Sequence, residues 1–182
     1  MNQTVEILEE LEHVAEEIDQ GQVDEMCQRI LGAKRVYLAG RGRSGLIARM
    51  FAMRLMHMNL TVYMVDEVVT PAIHDSDLLI ICSGSGETGS LKTMADKAKA
   101  IGATLQLITA NEESYIAKKA DAKIVIHGYT PKNEKNENKS IQPMGAQFEQ
   151  LQMLVLDGAV ITIMKKLGLS EQEMMARHAN LE

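Results

Sequence analysis

Two stretches of this chain hold residues whose types and spacing can do chemistry: "AGRGRSG", residues 39–45, and "CSGSGETGS", residues 82–90. The second offers hydroxyls at Ser83, Ser85, Thr88 and Ser90, while Gly84, Gly86 and Gly89 leave backbone N–H groups open. A helix starting near Thr88 would aim its unpaired N–H donors and the positive end of its dipole at this loop. Such an arrangement cradles one phosphate group. A hydroxyl-capped turn with no ligand is the simpler reading, but a cap needs only one hydroxyl.

The first stretch spaces Gly40, Gly42 and Gly45 as G-x-G-x-x-G, the pattern of a dinucleotide-binding turn. Asp66 even falls about 20 residues on, where a ribose-binding acid would stand. Three features count against that reading. The chain has 182 residues, too few for a nicotinamide domain plus a substrate domain. Arg41 and Arg43 put long side chains into a turn that should admit a pyrophosphate. And the second loop repeats the design, which suits a compact phosphate held between two turns.

The elements that position these loops follow from periodicity. Apolar residues recur at helical spacing over 3–19, and again at Val23, Met26, Cys27 and Ile30. Then short apolar runs alternate with helical segments. The strands are "RVYLAG", "LTVYMV", "DLLIICS", "ATLQLIT" and "AKIVIHG", and "EESYIAKKA" is expected as a short helix between the last two. Continuous apolar strands between helices describe an α/β fold with a parallel sheet covered on both faces. In a doubly wound sheet of order 2-1-3-4-5, strands 1 and 3 flank the switch point, so both glycine loops open on one crevice. Residues 128–141 are polar, and form either a solvated excursion or a lid. A long helix then runs from Ala146 to Leu167.

Composition narrows the function classes. A hydrophobic content of 46% supports a real core, and residues 1–182 read as a single domain. The net charge of −6 excludes sequence-independent nucleic-acid binding, which draws on Lys and Arg. Cys27 and Cys82 match no metal spacing and read as buried hydrophobes in a reducing compartment. His13, His57, His74 and His127 share no metal-site spacing either. The N-terminus lacks a signal-peptide pattern and no apolar run is long enough to span a membrane, so a cytoplasmic protein without a membrane partner is expected. The helices over 44–58 and 149–165 are apolar almost all round. One face of each packs on the sheet, and the other needs cover, which predicts a homo-oligomer.

"SGSGET" after the third strand, with "GRGRSG" after the first, resembles the sugar isomerase (SIS) domain family over nearly the whole chain. "TPAI" at 70–73 and the C-terminal "RHANLE" narrow the resemblance to its single-domain 6-phospho-3-hexuloisomerase branch. The resemblance implies the doubly wound five-stranded sheet of order 2-1-3-4-5 in a three-layer sandwich, a tetramer, and a phosphosugar ligand. It implies phosphate contacts at Ser44, Ser83, Ser85 and Thr88, with Gly42, Arg43 and Gly84 in the same turns. It assigns catalysis to Glu149 and His178, and the histidine can come from a neighbouring subunit. On residues alone, Glu149 reads first as a first-turn acid complementing the helix dipole, and His178 as an exposed tail residue. Glu67 and Thr70, past the second strand, are expected near sugar hydroxyls.

The implied reaction interconverts a hex-3-ulose 6-phosphate and fructose 6-phosphate, a step of the ribulose monophosphate pathway. A base takes the C2 proton, a cis-enediolate forms, and a proton returns to C3. No electron leaves the substrate, so neither a nicotinamide cofactor nor a metal is required if protein dipoles hold the enediolate. The competing readings are another phosphosugar isomerase and a module that binds a phosphosugar without converting it.

Overall fold

The computed structural model describes residues 2–131 and 139–181. Two helices, α1 (Gln3–Ala15) and α2 (Gln20–Gly32), precede the sheet. Asn2 and Asp19 cap them, each side chain accepting a first-turn N–H. The chain then alternates: β1 (Val36–Gly40), α3 (Gly42–His57), β2 (Val62–Met64), β3 (Leu78–Cys82), α4 (Gly89–Ile101), β4 (Thr104–Thr109) and β5 (Ala122–Val125). α5 (Ala146–Leu167) and the short α6 (Glu171–Met175) close the chain.

The five strands are all parallel, in the order β2-β1-β3-β4-β5 that the sequence predicts. Every residue of β1 and β3 is buried, as their unbroken apolar runs require. Successive side chains divide between two cores. Val36, Leu38, Leu78, Ile80 and Ile108 meet α1, α2, α3 and α5. Tyr37, Ala39, Leu79, Ile81, Leu105 and Leu107 meet α4 and Ile116. α3 and α4 therefore leave the tops of adjacent strands toward opposite faces, and the crevice between them is the switch point.

One expected element differs. Residues 112–120 form consecutive turns rather than a helix. Their N–H groups have other acceptors: Tyr115 N–H donates to the Glu87 carboxylate, Ile116 N–H to the Gly86 carbonyl and Ala117 N–H to Ser114 Oγ. Side-chain and loop acceptors compete with the helical ladder, and here they tie the segment to the loop after β3. Of the 128–141 segment expected as a loop or lid, residues 132–138 lie outside the described residues.

At the opposite end of the sheet, Asp77 has no exposed side-chain surface and takes two bonds from Arg35, at 3.0 and 2.7 Å, and one from the His74 N–H. Burial alone would raise its pKa; the Arg35 hydrogen bonds, the His74 N–H and the Arg35 charge outweigh it and hold it below the ordinary carboxylate value. The unfolded chain therefore binds this proton more readily than the folded one. The stabilisation is complete above the ordinary carboxylate range and is lost as pH falls through the depressed value. Asp77→Asn is expected to destabilise the fold at neutral pH, since it removes the negative charge and one of the two oxygens that Arg35 engages. It should also flatten the acid limb of a melting-temperature profile. An acid limb identical in the two proteins would refute the assignment.

Candidate phosphosugar site

The loops after β1 and β3 form the floor of one cavity of about 510 Å³, the size expected for a small-molecule site. Two helix starts face it. α3 begins at Gly42 behind Arg41, and α4 begins at Gly89 behind Thr88; neither cap residue spends its side chain on its own helix. The first-turn N–H groups of both helices, and the Thr88 hydroxyl, are thus left for a ligand.

The serine loop is locked by its own hydroxyls. Ser83 Oγ accepts the Gly86 N–H at 3.1 Å, and Ser85 Oγ accepts the Glu87 N–H at 3.2 Å. A hydroxyl that accepts in this way keeps its O–H proton to donate. Both serines are buried at the cavity wall. Gly86 sits at φ +63, and a β-carbon there would stand 2.0 Å from Ser114 Oγ. Only glycine permits the turn.

The first glycine loop works by close approach. A β-carbon on Gly40 would lie 2.8 Å from Gly45 Cα, and one on Gly45 would lie 2.8 Å from the Gly40 carbonyl. Strand end and helix start touch backbone to backbone, which brings the α3 N-terminus down onto the crevice. The dinucleotide reading loses its second support: Asp66 is ion-paired with Arg49 at 3.0 Å and Arg41 at 3.4 Å, outside the cavity lining.

α5 supplies the remaining wall. Its first turn brings Phe148 against Gly84, and Glu149 to the cavity with a side chain 18% exposed. Arg43 Nε, on α3, pairs with Glu149 Oε2 at 2.8 Å. One turn further along α5, Gln152 Nε2 donates to the Ser44 carbonyl at 3.1 Å, fully buried. These two contacts fasten the carboxylate-bearing helix to the first glycine loop.

Of the residues singled out from sequence, Gly42, Arg43, Ser44, Ser83, Gly84, Ser85, Thr88 and Glu149 all line this cavity. Glu67 does not. It is exposed and ion-paired with Arg49, while the Thr70 hydroxyl donates to the Met64 carbonyl. Both are engaged in the turn after β2, apart from the residues that line the cavity. His178 is also away from the cavity of its own chain. Its ring stacks on His57, at the far end of α3, with centroids 5.4 Å apart. Thirteen residues of helix separate His57 from Ser44, a rise of roughly 20 Å.

Sequence reasoning missed several lining residues, Thr130, Pro143, Met144 and Phe148 among them. The backbone of 128–130 is pinned to α5 where Tyr129 N–H donates to Gln147 Oε1 at 2.6 Å. The signal was the helix start at Ala146, whose first turn had to lie near the switch point if Glu149 did. Cys82 also lines the cavity, and burial pushes its thiol up to about 12, so it stays protonated. Cys27 is likewise raised, to about 11, mainly by burial.

With this geometry in place, comparison with known proteins is decisive. The family model described as "SIS domain" matches residues 29–157, from α2 through the first half of α5. The chain belongs to the SIS domain family. This SIS domain is 45% identical to the "3-hexulose-6-phosphate isomerase" of Bacillus subtilis over 97% of this chain and 96% of that protein. It is 38% identical to the Mycobacterium gastri protein of the same name, over 97% and 88%. A crystal structure from Methanococcus jannaschii, reported with an inferred molecular function of 3-hexulose-6-phosphate isomerase, superimposes with a TM-score of 0.80 at 38% identity, covering 90% of this chain and 87% of that one. Among the described residues of this SIS domain, no helix is long and apolar enough to cross a membrane.

Proposed function

We propose that this SIS domain interconverts hex-3-ulose 6-phosphate and fructose 6-phosphate. Isomerases of hexulose 6-phosphate, related over nearly their full length, make the chain a phosphosugar isomerase. The observation that carries the finer reading is the meeting of a two-loop phosphate cradle and a carboxylate in one cavity. The phosphate sits between the α3 and α4 N-termini, held by Ser44, Ser83, Ser85 and Thr88. The sugar chain then extends toward α5. Glu149 takes the proton from C2 of the 3-ketose, leaving a cis-enediolate across C2 and C3, and the same carboxylate returns a proton to C3. The protein's own dipoles stabilise the oxyanion as charge develops.

His178 moves a proton between the two substrate oxygens in this reading. Since it lies at the far end of α3 in its own chain, it acts in the cavity of a neighbouring copy. A homo-oligomer, a tetramer by family likeness, fits the outer face of α3, where Leu46, Met50, Met53 and Met56 are exposed. We take residues 1–182 as one domain, because α1 and Met174 of α6 share the core of α3 and α5.

A panel of phosphosugars tests the substrate assignment. Hex-3-ulose 6-phosphate should be converted to fructose 6-phosphate, with arabinose 5-phosphate at least about a hundredfold slower in kcat/KM, the scale on which a mis-sized substrate loses binding energy. Faster turnover of the pentose phosphate would overturn the reading, and tight binding of every sugar without conversion would indicate a sensing module.

A further inference from the structure

Resting on the isomerase reading, we infer that Arg43 links phosphate binding to proton transfer: it holds the base Glu149 until the substrate's phosphate draws it away. The pair is placed for this. Arg43 belongs to the first turn of α3, next to Ser44 in the cradle, and its guanidinium reaches across to α5. Glu149 Oε2 is taken by Arg43 Nε at 2.8 Å, and Oε1 is folded back to within 3.8 Å of where a β-carbon on Gly145 would stand. The guanidinium thus occupies Oε2 and ties the carboxylate to α3.

The two partners differ in freedom. The Glu149 side chain is 18% exposed and sits on a helix locked to α3 by Gln152. The Arg43 side chain is 60% exposed, and Glu149 is its one ion-pair partner among the described residues. Arg43 is thus the member that can swing. A phosphate dianion between the helix starts carries more charge than the carboxylate and matches the guanidinium fork with two oxygens. Arg43 transfers to it, adds a cation to the cradle and frees Glu149 Oε2 for the C–H bond. Binding energy from the non-reacting phosphate is thereby spent on the chemical step.

The test separates the phosphate from the sugar. Fructose and inorganic phosphite are supplied as separate pieces in deuterated water, and deuterium entry at C3 is followed by NMR. In the unaltered protein, phosphite should accelerate exchange by about tenfold or more, as expected when a detached anion supplies the missing binding energy. Arg43→Met should lose most of that acceleration, and Arg43→Lys, which keeps the charge without the fork, should fall between. The exposure of Arg43 makes both variants compatible with folding, checked by circular dichroism. An equal phosphite effect in the unaltered protein and Arg43→Met, or none in the unaltered protein while fructose 6-phosphate still exchanges, would overturn the linkage alone. Absence of exchange with intact fructose 6-phosphate would remove the isomerase reading and this inference together.

Discussion

Glu149→Gln is expected to lower kcat by about 10²–10⁴-fold, the usual worth of a positioned general base, while phosphosugar binding survives. The amide has the shape of the carboxylate but cannot accept a proton from carbon. It removes nothing from the cradle, whose donors come from α3, α4 and the serine loop. Isothermal titration with fructose 6-phosphate measures the second half of the expectation. Lost turnover with retained affinity identifies a base. If affinity falls in step with turnover, Glu149 is a binding residue; if neither changes, the carboxylate merely complements the helix dipole.

His178→Ala should likewise lower kcat, by about 10²-fold, the worth of a positioned proton carrier. Mixing it with Glu149→Gln should restore activity. In an oligomer whose sites combine Glu149 of one copy with His178 of another, some sites then regain both intact residues. Equal amounts pairing at random give up to about a quarter of the unaltered rate. This follows from placement: His178 stacks on His57, whose pKa is lowered by burial and by the nearby Arg54 and His178, at the end of α3 remote from Ser44. Mixtures no more active than the separate variants would place both residues in one chain's site or remove His178 from the chemistry. The readout is exchange of subunits under mild denaturant followed by rate measurement.

Much of the architecture was legible because burial writes itself into composition. β1, β3 and β4 are covered on both faces, so their apolar runs are continuous and their order of appearance gave the parallel alternation. The edge strand β2 is only half-buried, and of "LTVYMV" only Val62–Met64 pairs with β1. The turns at 112–120 were misread as helix because their helical spacing is real, while two competing acceptors, the Glu87 carboxylate and the Gly86 carbonyl, are brought by the loop after β3.

The cradle was legible for a related reason. Its residues are local, each loop carrying its glycines and hydroxyls in consecutive positions, and the strand order then joins the two. What pairing adds was not legible. Glu67 read as a sugar contact until α3 placed Arg49 beside it. Arg43 and Glu149 stand more than a hundred residues apart in sequence, and their contact depends on the α3–α5 packing that Gln152 secures. Thr130 and Met144 reach the cavity from segments with no motif at all.

The central claim is that a carboxylate on α5 moves hydrogen on the sugar carbons beyond a gripped phosphate, and the position of isotope uptake measures it directly. Fructose 6-phosphate incubated with the protein in deuterated water should acquire deuterium at C3, the carbon that a 2,3-enediolate exposes, and should lose that label uptake with Glu149→Gln. Deuterium at C1, the mark of an aldose–ketose isomerase working through a 1,2-enediolate, or no uptake at any carbon, would contradict the account.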